Sequence, residues 1–205
     1  MKDRNIKAIV FDLGNVLIPF NYNRFTNKIN SIKPGLGDRF SEFYYGNYHL
    51  HRDFEKGILS EQVFIAKMIE ALEDKIDPET FCKYYSDIFS LNEDVVSLLP
   101  VLKKEYKLFL LSNTNSIHEK YGWREYDFFH NFEKLILSHE VGAVKPEENI
   151  YRAVEKASGF LPGEHFFIDD ISDYVNAAKN FGWDAIQFVD YSTLLKDLRE
   201  RKILE

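Results

Sequence analysis

Five short apolar runs punctuate the chain, and the first four are each followed by polar side chains at or soon after their carboxyl ends. Ala8-Ile9-Val10-Phe11 stops at Asp12-Leu13-Gly14-Asn15, and Leu108-Phe109-Leu110-Leu111 stops at Ser112-Asn113. Leu135-Ile136-Leu137 is followed, within a loop, by Lys145-Pro146, and His165-Phe166-Phe167-Ile168 ends at Asp169-Asp170. The fifth run is Ala185-Ile186-Gln187-Phe188-Val189. Short runs without polar alternation predict strands buried on both faces. Helical segments over about 147–158 and 172–181 lie between the later runs, stopped by Gly159 and Gly182, residues suited to a left-handed helix end. Strands alternating with helices predict an α/β fold, a Rossmann-like parallel sheet with helices on both faces. Ligands of such sheets bind at the carboxyl ends of the strands, where these polar groups stand.

The segment between the first and second runs differs. Val63, Phe64, Met68, Ala71 and Leu72 share a helical face after Ser60 as N-cap, and Asp77-Pro78-Glu79 starts another helix carrying Phe81, Tyr84, Tyr85 and Ile88. No convincing strand occurs there. The expected organisation is a core of residues 1–17 and 93–205 with an inserted all-helical domain at 18–92. A chain of 205 residues can hold one core plus such an accessory unit.

Composition removes several function classes. A net charge of -7 argues against nucleic acid as a polymer partner, because counterion release needs clustered Lys and Arg. The single cysteine, Cys82, excludes an intrachain disulfide or a thiolate metal cluster, and a small buried hydrophobe is its expected role. The charged start of the chain makes a poor signal peptide, and no run approaches the roughly 20 apolar residues of a membrane span. A cytoplasmic protein without a membrane partner, monomeric or homodimeric, is expected. Neither a dinucleotide-binding nor a P-loop glycine pattern is present.

A lone aspartate at a strand end is ordinary turn chemistry. A carboxylate, a hydroxyl, an ammonium and a carboxylate pair converging on one crevice suit phosphoryl transfer. Paired carboxylates with a backbone carbonyl and waters suit Mg²⁺, which would offset repulsion between an anionic phosphate and an anionic nucleophile. A carboxylate can then attack phosphorus, with Ser112 bonding a phosphoryl oxygen and Lys145 supplying positive charge.

Val10-Phe11-Asp12-Leu13-Gly14-Asn15-Val16-Leu17, Leu110-Leu111-Ser112-Asn113-Thr114-Asn115, Lys145-Pro146 and Phe167-Ile168-Asp169-Asp170 resemble, in order, the four motifs of the haloacid dehalogenase (HAD) superfamily. Asp-Leu-Gly-Asn-Val, Leu-Ser-Asn-Thr-Asn and Lys-Pro-Glu-x-x-Ile-Tyr resemble its subgroup containing bacterial alpha-D-glucose-1-phosphate phosphatases. The helical insertion, including Glu55-Lys56-Gly57-Ile58-Leu59-Ser60, sits where that family places its cap. The resemblance implies an Mg²⁺-dependent phosphatase for a small phosphomonoester, such as a hexose 1-phosphate. It makes Asp12 the nucleophile and a metal ligand, with Gly14 contributing its carbonyl and Asp170 the second carboxylate. Asp169 would act on the metal through water or from behind the ligands, Ser112 and Asn113 would bind phosphate, and Lys145 would balance charge.

Two positions depart from the family pattern. Most of these phosphatases carry a general acid–base Asp two residues after the nucleophile; here Gly14 stands there. A cap residue such as His49, His51, Asp53 or Glu55 could supply the proton, the leaving group could be acidic enough to need little help, or hydrolysis could be lost, leaving a phosphate-binding regulator. Many relatives also place Asp or Asn four residues after the metal-binding Asp, where this chain has Tyr174 preceded by Asp173. Asp173 is read equally as a partner to the metal ligands or as a helix cap. A 2-haloacid dehalogenase would use the same nucleophile, but would not need Asp169 and Asp170. A response-regulator receiver is rejected because its acidic pair precedes the phosphoacceptor. His49 and His51 are expected to be solvated or to touch substrate rather than to bind zinc. Phe43, Tyr44, Tyr45 and Tyr48 could line a sugar pocket, with core packing the default for most of them, and Arg24 and Arg52 are read as surface arginines at least as readily as contacts to a phosphate or sugar.

Overall fold

The computed structural model describes residues 6–205. Residues 1–5, the charged start discussed above, lie outside the described residues. Five strands, β1 (Ala8–Phe11), β2 (Lys107–Ser112), β3 (Lys134–Leu137), β4 (His165–Asp169) and β5 (Asp184–Gln187), form one parallel sheet in the order β3-β2-β1-β4-β5. The fifth run ends as a strand two residues early. The chain turns away there because Asp190 caps the last helix, accepting from Thr193 N at 2.8 Å, and Val189 is left exposed.

Alternate strand residues feed two cores. Ile9, Phe11, Leu108, Leu110, Phe166 and Ile168 point to one face, which packs on Val95, Leu99, Leu194 and Leu198. Ala8, Val10, Phe109, Leu111 and Phe167 point to the other, against Ile150, Tyr151, Val154, Val175 and Ala178. This period of two, buried on both sides, is why the runs carry no polar alternation.

Helices α1 (Asn23–Ile32), α2 (Leu36–Gly46), α3 (Tyr48–Glu55), α4 (Glu61–Ala71) and α5 (Pro78–Ser86) follow β1. Ser60 and Asp77 cap α4 and α5, accepting from Val63 N at 3.4 Å and Thr80 N at 2.9 Å. The five helices share a third core rich in rings, including Phe25, Phe40, Phe54, Phe64, Phe81 and Tyr85. Val63 faces outward rather than joining Phe64, Met68 and Leu72 in that core. The chain crosses to and from this layer in two segments bonded side by side, with Asn21 N donating to Ile88 O and Ser90 N to Pro19 O, both at 2.9 Å. Short helices α6 (Glu93–Val96) and α7 (Leu99–Leu102) lead to β2, and α8 (Ser116–His118) follows it. Then come α9 (Ser138–Val141), α10 (Glu148–Ser158), α11 (Ser172–Asn180) and α12 (Tyr191–Glu200). None of the described helices is long and apolar enough to cross a membrane.

Candidate active site

Register brings the strand ends together. β1 lies between β2 and β4, and Phe11 is level with Leu110 on one side and Ile168 on the other. The polar residues just beyond this level, Asp12, Ser112 and Asp169, therefore stand together at the carboxyl end of the sheet, around the point where strand order reverses. Asp12 N donates to Ile168 O at 2.9 Å, which continues the ladder under the site.

Lys145 closes the arrangement. Its Nζ donates to Asp12 Oδ1 and to Asp169 Oδ2, each at 2.6 Å, and its side chain is 1% exposed. Asp169 Oδ1 accepts from Ile171 N at 2.8 Å, so both of its oxygens are occupied. Asp12, Asp169 and Asp170 each place a carboxylate oxygen within 4.8 Å of the others. Burial, reinforced by Asp169 and Asp170, pushes the Asp12 carboxyl up to about 7 against the pull of Lys145. Burial works against the Lys145 charge, but Asp12 and Asp169 outweigh it and hold the ammonium above the ordinary lysine range. Burial also raises Asp170, partly offset by Asn15 Nδ2, which donates to Asp170 Oδ2 at 3.0 Å.

Three carboxylates against one ammonium leave two negative charges uncompensated when all are ionised. Among the described residues, Asp12 Oδ2 and Asp170 Oδ1 take no side-chain hydrogen bond. An oxygen-only, dianionic cluster with two open carboxylate oxygens fits a hard divalent cation. Asp12, Asp170 and the Gly14 carbonyl are the groups available to hold one.

Ser112, 2% exposed, and Asn113 line the same cavity as Asp12. The Asn113 side chain is committed elsewhere: Oδ1 accepts from Lys145 N at 2.7 Å, while Nδ2 donates to Lys145 O at 3.2 Å and to the Tyr174 hydroxyl at 3.3 Å. It clamps the lysine's own peptide. Tyr174 lies 5.1 Å from the ammonium with its ring beneath it, whereas Asp173, one residue back on α11, is exposed and outside the cavity.

The cavity, of about 340 Å³, lies between these strand ends and the helical layer. Its far wall is polar and aromatic: Tyr22, Tyr44, Tyr45, Tyr48, His51, Arg52 and Glu55. Tyr44 serves both the aromatic core and the cavity, while the exposed Tyr45 and Tyr48 complete the cavity lining. Phe43 and His49 face a separate surface cleft, and Arg24 pairs with Asp87 away from the site. His51 and Glu55 pair one helical turn apart, Nε2 to Oε1, at 3.1 Å. Arg52 NH1 donates to Glu55 Oε2 at 3.0 Å, and its NH2 to Lys145 O at 3.3 Å. Burial disfavours the Glu55 charge, yet His51 and Arg52 outweigh burial and hold the carboxyl below the ordinary glutamate range. Ser138, fully buried, donates to Glu55 O at 2.6 Å and accepts from Thr114 N at 2.9 Å, tying the end of α3 to the loop after β2. Gly57 makes that approach possible. It has φ +70°, and a Cβ there would stand 2.5 Å from His139 O.

Comparison with known proteins agrees with this geometry. A family model described as haloacid dehalogenase-like hydrolase matches residues 6–182. The chain belongs to that family. It is 26% identical over 192 residues to a D-ribitol-5-phosphate phosphatase of Bacteroides thetaiotaomicron, covering 89% of this HAD hydrolase and 91% of that protein. A HAD-family enzyme from the same organism, solved in complex with magnesium and inorganic phosphate, superposes with a TM-score of 0.79 at 28% identity, covering 92% and 98% of the two chains. An L-2-haloacid dehalogenase from Xanthobacter autotrophicus shares the fold at a TM-score of 0.62 and 20% identity, covering 97% and 84%.

Proposed function

We propose that this HAD hydrolase is an Mg²⁺-dependent phosphatase acting on a small phosphomonoester through an aspartyl-phosphate on Asp12. The observation that carries the reading is the buried Lys145 ammonium bridging Asp12 and Asp169, with Asp170 beside them at the open end of a parallel sheet. Asp12, Asp170 and the Gly14 carbonyl would hold the cation, with Asp169 behind them steering Lys145 or a bound water. When bound, the cation neutralises the phosphate and raises its electrophilicity.

In this reading Lys145 favours the carboxylate form of Asp12 against the effect of burial and fixes its rotamer by bonding Oδ1. The Ser112 hydroxyl and the main-chain N–H of Asn113 bind phosphoryl oxygens, because the Asn113 side chain is committed to the Lys145 peptide. Residues 18–92 form the cap that excludes water and selects the leaving group. All these groups come from one chain, so the reading suits a monomer or a homodimer.

The substrate is a phosphorylated sugar or sugar alcohol. A cavity of about 340 Å³ falls at the small end of the roughly 300–1,000 Å³ usual for small-molecule sites. Its wall of tyrosines, Arg52 and Glu55 offers hydroxyl groups both donors and acceptors. The relative named for D-ribitol 5-phosphate supports a sugar-alcohol phosphate, and the motif resemblance supports a hexose 1-phosphate. The test is a screen for phosphate release over pentitol phosphates, hexose 1-phosphates, nucleotides and an aryl phosphate, with and without EDTA. Mg²⁺-dependent release that falls by about 10⁴-fold or more in Asp12→Asn is expected, the scale of losing a nucleophile. Activity surviving that substitution contradicts the reading, and activity surviving EDTA points to dehalogenase-type chemistry.

A further inference from the structure

The position that carries the proton shuttle in most related phosphatases is Gly14, and the space beside it is filled. A Cβ on Gly14 would meet Phe20 Cε1 at 3.0 Å, so the Phe20 ring borders the place an acidic side chain would enter. The other carboxyls at the strand ends already have roles in the phosphatase reading, Asp12 as nucleophile, Asp169 on Lys145 and Asp170 at the cation position beside Asn15. Among the described residues lining the cavity, the one remaining carboxyl is Glu55, on the opposite wall.

We propose that Glu55, held by His51, is the general acid–base of this site, replacing from the cap the group that Gly14 lacks. The inference rests on the phosphatase reading above. Glu55 is positioned from three sides, by His51 Nε2, Arg52 NH1 and, at its carbonyl, Ser138. Arg52 also reaches the Lys145 carbonyl, so one side chain joins Glu55 to the peptide of the lysine that grips the nucleophile. His51 has both ring nitrogens engaged, Nδ1 with the Tyr44 hydroxyl at 2.6 Å and Nε2 with Glu55. It therefore acts as a positioning residue, and the proton on the Nε2–Oε1 contact is the one the pair exchanges through Glu55 at the cavity wall. The other proton carriers in the cavity are poorly suited. Burial holds His118 in its neutral form among aromatic rings, and burial raises the phenols of Tyr22, Tyr44, Tyr48 and Tyr174.

The proton count closes over the cycle. As an Asp12 oxygen bonds to phosphorus, the ester P–O bond breaks and the departing oxygen takes one proton from the His51–Glu55 pair. Water then bonds to phosphorus, the Asp12–phosphorus linkage breaks to restore the carboxylate, and the proton lost by the water returns to the pair.

Rapid-quench kinetics on the Mg²⁺-loaded enzyme and its Glu55→Gln variant test the inference with a sugar-alcohol phosphate and nitrophenyl phosphate. General acid–base help is worth about 10²–10⁴-fold, so the variant should lose that much turnover on the alkyl ester. On nitrophenyl phosphate, whose leaving group needs no proton, it should give a burst of about one nitrophenol per chain and then a slow steady rate. Equal proportional losses on both esters, with no burst, would make Glu55 structural and overturn the proposal. Should Glu55→Gln melt out of the folded state, the unmodified enzyme supplies the answer across a series of leaving groups. A shallow dependence of kcat/KM on leaving-group pKa is expected, and a steep one overturns the proposal. Absence of phosphate release from the unmodified enzyme would instead break the phosphatase reading itself.

Discussion

Two walls face one cavity and are held in different ways. The strand-end wall is fixed by two 2.6 Å bonds from Lys145, in a loop, to carboxylates at the ends of two adjacent strands, Asp12 just beyond β1 and Asp169 at the end of β4. On the cap wall, Ser138 and Tyr44 hold the Glu55 carbonyl and His51 at 2.6 Å, but the contacts to the Glu55 carboxyl and across to the Lys145 carbonyl are longer, between 3.0 and 3.3 Å, from Arg52 and His51 on a single eight-residue helix. The first wall holds charge where a phosphate and a cation meet. The second meets whatever part of the substrate is not phosphate. Rigid sheet ends thus serve chemistry common to a family, while a helix on a separate layer can change substrate without disturbing them.

Substitutions on the two walls should separate these roles. The largest effect is expected from Lys145→Met, which leaves Asp12 and Asp169 buried without their cation. Turnover should fall by about 10²–10³-fold, the scale of losing one preorganised electrostatic donor, and the metal-free protein should lose about 3–5 kcal/mol by denaturant melts. Unchanged stability would mean that the carboxylates find another partner. A smaller effect is expected from Arg52→Ala, which frees Glu55 Oε2 and the Lys145 carbonyl but leaves the Lys145–Asp12 bond in place. A loss of about 10-fold in kcat is expected, consistent with one charge-assisted hydrogen bond; a loss matching that of Lys145→Met would show that the walls are not separable. Tyr48→Ala should do least to the chemistry. It should raise KM several-fold for a sugar or sugar-alcohol phosphate and leave the Ki of inorganic phosphate unchanged.

The strand ends were legible in the sequence because four successive apolar runs each deliver polar groups to the same end, which turn chemistry at any one of them does not explain. Lys145 was less directly legible, standing in a loop beyond its apolar run, since the bonds that position it join residues 32 and 133 apart in the chain. The cap wall was much less legible. Glu55 is one of four cap candidates for the proton in the sequence and Tyr44 reads as core, and only the packed structure brings both to the cavity wall, with Glu55 buried against a serine 83 residues away. Tyr174 and Asp173 are neighbours in sequence but point in different directions on α11, so the aromatic residue, not the acid, reaches Lys145. Asn15 carried a usable sign. A non-glycine residue at φ 56° is tolerated best when it is Asn or Asp, and Asn15 bonds Asp170 from that conformation.

The central claim, that Asp12 carries the phosphoryl group and Glu55 helps remove it, can be read from one acid-quenched sample. Glu55→Gln, mixed with nitrophenyl phosphate and Mg²⁺ and digested, should yield a peptide phosphorylated on Asp12 at close to one phosphate per chain. Rapid nitrophenol release without any phosphate on Asp12 would contradict the account.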